Sequence, residues 1–264
     1  MFSPRVAVAS LSGESDAEWA KQATPHVGAA FLGGIALDEP AREAAHALVA
    51  RGRSEFLTDD PLEFVEAQLV ALAGSDIFTA VNVRATSPDP IRDVAELCAE
   101  YGAGVEVNAH CRQEELCAVG CGESLLRDTD RLAEYVATAA ESGAPVGVKV
   151  RAEVEDVSLP ELATELADAG ASWLHIDAMD SESVVADVVA AEPDSFVVAN
   201  NGVRDRETAH EYLRYGADAV SVGRASDDPV VLRRVREAVD EWFVGGDAER
   251  PGPPHDREHE VSSR

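Results

Sequence analysis

Along the chain, short apolar runs rich in valine, isoleucine and alanine alternate with longer stretches whose apolar positions recur every three to four residues. The runs read as buried strands over residues 5–9, 27–32, 77–83, 104–108, 145–150, 172–177, 196–200 and 219–222. The longer stretches read as helices over 16–23, 39–51, 61–73, 89–101, 125–142, 159–169, 183–191, 206–215 and 229–243. Local punctuation agrees: Gly102, Gly143, Gly170 and Gly216 stand where helices should stop, and Pro61 and Pro90 stand in first turns. The stretch 109–123 has neither period and reads as a long loop. Eight strand–helix alternations in about 240 residues predict a single-domain α/β fold, a closed (β/α)8 TIM barrel over residues 1–244. An open doubly wound sheet is the competitor, but it rarely uses eight parallel strands in so short a chain. Residues 245–264 are polar, acidic and rich in Pro and Gly, and read as a disordered tail.

Composition narrows the setting. The 264 residues carry 50 acidic and 22 basic side chains, a net charge of −28. Only two of the basic residues, Lys21 and Lys149, are lysines. Acid-rich, lysine-poor chains suit concentrated salt, where screening makes dense like charge tolerable, so a halophilic setting is expected. So acidic a surface argues against a broad nucleic-acid-binding face. No apolar run is long enough to span a membrane, and the first residues lack the pattern of a signal peptide. Four cysteines do not suggest a disulfide scaffold. A cytoplasmic protein is expected.

In such a barrel the chemistry stands at the C-terminal ends of the strands. Those ends offer Ser10 and Gly13, Asn82, Asn108 with His110, Cys111 and Arg112, Lys149 and Arg151, Asp177, Asn201 and Gly202, and Gly223 with Arg224. In a chain that has replaced almost every lysine, Lys149 at the end of a buried strand points to a task arginine cannot perform: a compact point charge or a removable proton. The Asn-Asn-Gly and Gly-Arg turns after the last two strands suit a phosphate, although each alone is also an ordinary tight turn. Cys111, Cys117 and Cys121 are spaced Cys-x5-Cys and Cys-x3-Cys, which matches no common zinc or iron–sulfur pattern, so no metal is expected. Cys98, Cys117 and Cys121 read as packing residues. Cys111, three residues past a strand end and beside His110, could serve as proton donor or nucleophile, or be an inert thiol.

Taken together, these residues resemble the flavin-dependent tRNA-dihydrouridine synthases. The family's Asn-x-Gly-Cys-Pro after strand 4 is matched by Asn108-Ala109-His110-Cys111-Arg112, followed by Gly120, Gly122 and Leu125-Leu126. Val148-Lys149-Val150-Arg151, Ala199-Asn200-Asn201-Gly202 and Gly216-Ala217-Asp218, continuing to Gly223-Arg224-Ala225, match strands 5, 7 and 8. Val81-Asn82-Val83 resembles strand 3, with Asn where the family usually has Gln. The resemblance implies an FMN cofactor. Ser10, Gly13, Asn82, Lys149 and Asp177 would lie along it, and Asn201, Gly202, Gly223 and Arg224 around its phosphate. It implies hydride transfer from flavin to a uracil-like C=C bond, with Lys149 stabilising the reduced flavin and Cys111 as general acid. Asn108, His110, Arg112 and Arg151 would meet the substrate.

The chain departs from the family at four places. His110 and Arg112 replace the Gly and Pro beside the cysteine, Asp177 stands where the family has histidine, and the strand 1 proline is lacking. His175, two residues before Asp177, is a substitute candidate. The resemblance covers about residues 5–240, so the family's helical RNA-binding domain is expected to be lacking. The substrate expected first is tRNA uridine. The alternatives are a free pyrimidine or other activated alkene, or a barrel that binds a phosphate ligand without redox chemistry. No dinucleotide fingerprint is present, so NAD(P)H, if it is the electron donor, would bind transiently at the flavin face.

Overall fold

The computed structural model describes residues 1–245; the expected tail lies, beyond Gly245, outside the described residues. The strands are β1 (Val6–Val8), β2 (Ala29–Ala36), β3 (Phe78–Arg84), β4 (Gly104–Asn108), β5 (Val146–Arg151), β6 (Trp173–Asp177), β7 (Phe196–Asn200) and β8 (Ala219–Val222). Each pairs in parallel with the next, and β8 pairs with β1, closing the expected barrel. Around it lie α1 (Ala17–Ala23), α2 (Glu39–Ala50), α3 (Pro61–Leu72), α4 (Asp89–Glu100), α5 (Glu114–Ala118), α6 (Thr129–Ala140), α7 (Leu159–Asp168), α8 (Val184–Ala191), α9 (Arg206–Arg214) and α10 (Pro229–Val244).

Two local expectations change. The second strand runs on to Ala36, because Ile35 and Ala36 pair with Val83 and Arg84 after a register shift between Gly33 and Ile35. The two glycines look like a turn in sequence, yet Gly33, at φ +96°, is a bulge that keeps the ladder running. The loop 109–123 contains the single-turn α5, and the helix expected from residue 125 starts only at Thr129, after a 3-10 turn over Gly122–Arg127.

Part of the acidic excess is structural. Asp16, Asp38, Asp60, Asp205 and Asp228 each cap a helix by accepting a hydrogen bond from a backbone N–H of its first turn. Each such cap contributes about 1 kcal/mol.

Alternate strand residues face the barrel axis and fill it in levels. The N-terminal end is plugged by rings. Phe78 meets Trp173 edge-on at 5.9 Å, and Phe2 meets Phe196 at 5.3 Å. Trp173 fits because Gly104, the first residue of β4, and Gly147, the second of β5, leave room on its side. A Cβ at Gly147 would overlap the indole, and one at Gly104 would lie 2.9 Å from it. Above the rings the filling turns polar with Asn82, Glu106, His175 and Ser221, all fully buried. The outward faces of the same strands carry valine, alanine and isoleucine, which bury against the helices.

Gly147→Ala forces a methyl into the indole, and overpacking of this kind costs roughly 1–3 kcal/mol. Urea unfolding should show that loss, with Gly143→Ala, at a position where a Cβ meets nothing within 4 Å but φ is +80°, as the control for backbone strain alone.

Candidate active site

At the C-terminal mouth a cavity of about 400 Å³ is lined by the ends of β1, β5, β6, β7 and β8 and the loops that follow. It brings together eight of the residues expected from sequence: Ser10, His110, Lys149, Asp177, Asn201, Gly202, Gly223 and Arg224. It includes Asn200 of the expected Asn-Asn-Gly turn, and adds Leu11 and Arg204, which sequence reasoning did not select.

Lys149 reaches this cavity from inside the barrel. Its side chain is 2% exposed, and its Nζ donates to Ser10 Oγ at 3.2 Å. Burial lowers its pKa from the usual lysine range, against the pull of the Glu106 and Asp177 carboxylates. On the far wall the turn after β7 is held in an unusual shape. Asn201 sits at φ +104°, its Nδ2 donates to Asp177 Oδ1 at 2.7 Å, and the Tyr212 hydroxyl donates to the Asn200 and Asn201 carbonyls at 3.1 and 3.0 Å. The turn presents Gly202, with Arg204 folded back to donate to the Gly202 carbonyl at 3.0 Å. Beside it, a Cβ at Gly223 would meet nothing within 4 Å, so backbone N–H groups are open to a ligand there.

Below the cavity runs a chain of buried polar groups centred on Glu106. The carboxylate accepts from Asn82 Nδ2 at 2.8 Å, Trp173 Nε1 at 3.1 Å and His175 Nδ1 at 2.9 Å. His175 Nε2 meets Ser221 Oγ at 2.8 Å, which also accepts from Asn200 Nδ2 at 2.7 Å. Burial alone would raise the Glu106 pKa. Its bonds and the charges around it outweigh burial and hold it below the usual carboxylate range, while burial lowers His175. Enclosed and bonded at both nitrogens, His175 does not reach the cavity as a substitute for the family histidine. Glu106 was missed in sequence, although an acid in the middle of an apolar strand is its signal.

The other expected residues lie outside the cavity wall. Asn82 and Asn108 are buried below it, joined by Asn108 Nδ2 donating to Asn82 Oδ1 at 2.8 Å. Asn82 is therefore tied within the barrel interior rather than placed at the cavity wall. Gly13 packs against the backbone of Ser54 and Glu55, which leaves no room for a ligand on that side. Cys111 is half-buried against an apolar cluster containing Ala36, Ala41, Leu116 and Cys121. Its backbone is fixed by Asn108 Oδ1, which accepts from its N–H at 3.2 Å, and by its carbonyl, which accepts from the Glu123 N–H at 2.7 Å. Arg112 is exposed, whereas Arg151 is buried, 3.8 Å from Glu123. Arg84 is buried too, its Nη1 2.6 Å from Glu55. Cys98 and Cys121 are core residues as expected, and Cys117 is half-buried with its Sγ 3.5 Å from the Cys111 carbonyl.

A closed parallel barrel with a cation under one side of a mouth cavity and glycine turns at β7 and β8 is the site of a cofactor-dependent enzyme. Residues 67–245 match the family model Dihydrouridine synthase (Dus), so the chain belongs to the dihydrouridine synthase family. It is accordingly a flavin-dependent oxidoreductase whose cofactor is FMN. An uncharacterized protein of Methanocaldococcus jannaschii is 27% identical over 230 residues, covering 83% of this chain and 88% of that one. A probable tRNA-dihydrouridine synthase of Treponema pallidum is 28% identical over 142 residues, 50% of this chain and 41% of that protein. Among solved structures, DHODH of Eimeria tenella in complex with ferulenol superposes with a TM-score of 0.67 at 15% identity, covering 92% of this chain and 82% of that one. That likeness shows the shared fold. The cavity fits FMN: Lys149 offers a buried cation, and the open Gly223 backbone beside Arg224 and Arg204 offers donors for a phosphate. The non-redox phosphate-binding barrel is thereby set aside. No helix among the described residues is long and apolar enough to cross a membrane.

Two predictions follow from the buried charges. Lys149→Met removes the cation and should weaken FMN binding about tenfold or more, read by flavin fluorescence, with folding retained. His110 and His175 are both lowered from their ordinary value of 6.5 by burial, His110 well below it. As pH falls below 6.5 the unfolded chain takes up protons that the folded barrel refuses, so stability falls. His110→Phe should flatten that slope in urea midpoints measured between about pH 5 and 8.

Proposed function

We propose that the protein reduces the C=C bond of a uracil-like ring, with tRNA uridine as its first substrate. The observation that supports this most is the buried Lys149 ammonium at the floor of a cavity lined also by His110, the neighbour of Cys111. FMN, when bound, supplies the electron pair and hydrogen for the reduction. Lys149 then stabilises the negative charge that a reduced flavin carries. Gly202, Gly223 and Arg224 hold the phosphate, with Ser10, Asp177 and Asn201 along the wall between. Asn82 acts from beneath, through Asn108, and Gly13 shapes the loop that carries Ser10.

Cys111 protonates the substrate carbon next to the one reduced. Its backbone is fixed by Asn108 and Glu123, which positions the thiol to give a proton and receive one back from solvent. Arg112, exposed in the loop after β4, would be the arginine that meets an anionic substrate, with Arg151 behind it at the end of β5. NAD(P)H would be the electron donor, binding transiently at the same mouth. A free pyrimidine is the second reading, favoured by the net charge of −28, which opposes a polyanion everywhere except at this arginine-bearing rim.

Cys111→Ala should retain FMN and its reduction by NAD(P)H but lose roughly 10²–10⁴-fold in substrate turnover, the usual share of a general acid. Mapping dihydrouridine in tRNA from a strain lacking the gene decides the substrate. Loss of the modification at specific positions is expected, and an unchanged pattern would leave the free pyrimidine.

A further inference from the structure

The hydrogen bonds of the interior all run one way. Glu106, ionised, can only accept. Asn82 must therefore turn its Nδ2 toward Glu106 and its Oδ1 away. Asn82 Oδ1 then requires Asn108 to turn its Nδ2 down, at 2.8 Å, and its Oδ1 up. An independent anchor agrees, since Asn108 Oδ1 accepts the backbone N–H of Cys111 at 3.2 Å, which an amide nitrogen could not do. The next group on Asn108 Oδ1 is the imidazole of His110, its Nδ1 at 3.2 Å. Facing a carbonyl oxygen, Nδ1 must carry the proton. The other nitrogen, Nε2, has no hydrogen-bond partner among the described residues, and His110 is part of the cavity lining.

We infer that His110 presents a bare Nε2 lone pair to the cavity and is the residue that recognises an imide N–H. An imide N–H is a ring N–H flanked by two carbonyls. Asn200, at the other end of the network, repeats the logic: its Nδ2 is spent on Ser221, and its side chain also borders the cavity. The surroundings keep the His110 ring from taking a second proton. Lys149 and Arg151 on β5, Arg84 on β3 and His175 on β6 all oppose a charge there, on top of burial. A cationic imidazole would repel an N–H donor, whereas the neutral ring welcomes it. Where the family motif has glycine, this chain has placed a directional acceptor.

The inference rests on the proposed function for the identity of the ligand, because two imides could meet this nitrogen: the uracil-like substrate and the pyrimidine edge of FMN itself. A site built around a buried acceptor discriminates strongly against a ligand that lacks the donor. The test begins without a ligand. In protein labelled with ¹⁵N-histidine, long-range proton–nitrogen spectra near neutral pH should show His110 protonated at Nδ1 and bare at Nε2, and a proton on Nε2 overturns the inference.

The second stage uses FMN-loaded protein and two probes, uridine and N3-methyluridine. A substrate role predicts that uridine binds about tenfold tighter than its methylated analogue, that His110→Phe abolishes the difference, and that His110→Gln, which can offer an amide oxygen, restores part of it. A flavin role predicts instead an about tenfold loss of FMN affinity in His110→Phe, with the two probes bound alike throughout. His110→Phe protein that binds FMN and distinguishes the probes as the parent does would overturn the recognition role. If FMN does not bind the parent protein, the functional reading fails, and the tautomer measurement still reports the state of His110.

Discussion

The interior of this barrel is organised by one buried negative charge. A carboxylate with no access to water is stable only where every nearby group turns a donor to it. Glu106 imposes that demand on β3 through Asn82 and on β6 through Trp173 and His175. Because an amide that donates on one side must accept on the other, the demand is passed outward to Asn108, to Ser221 and to Asn200. Lys149, the cation at the cavity floor, is held in the charged form partly by the same carboxylate, against the desolvation that would strip its proton. The polar groups of the mouth are therefore oriented from below.

The charge of the whole molecule and the charge of its mouth have opposite signs of purpose. The acidic excess is spread over helix faces and caps, where it keeps the surface hydrated and begins helices at aspartates. Arginines also stand where several strands end. Arg84 is neutralised in place by Glu55, and Arg151 leans toward Glu123, while Arg204 and Arg224 stand at the glycine turns. Most of the surface would repel a phosphate, and the mouth, with Arg204 and Arg224 on the cavity wall, offers it opposite charge.

Most of the fold was legible because it rests on repetition. The strand runs recur eight times, and helices stop at Gly102, Gly143, Gly170 and Gly216. Lys149 was legible because lysine is nearly absent elsewhere. What could not be read is the level at which each strand-end residue comes to rest. Asn108 and Lys149 are register partners on β4 and β5, yet Asn108 turns down to Asn82 while Lys149 reaches across to Ser10. That difference depends on the stagger of the strands around the barrel, which no single strand encodes. The same limit hid Glu106 and misplaced His175. Likewise α5 is a single turn, too short to show a period, and the bulge at Gly33 uses residues that more often end a strand than continue one.

The aromatic plug also has a kinetic consequence. With Phe2, Phe78, Trp173 and Phe196 sealing the N-terminal end and an unbroken ring of strands around the sides, the cavity is reached from the mouth and not through the barrel. Under the proposed function, a reductant and a substrate that need the same face of the cofactor would have to enter there in turn, the first departing before the second arrives.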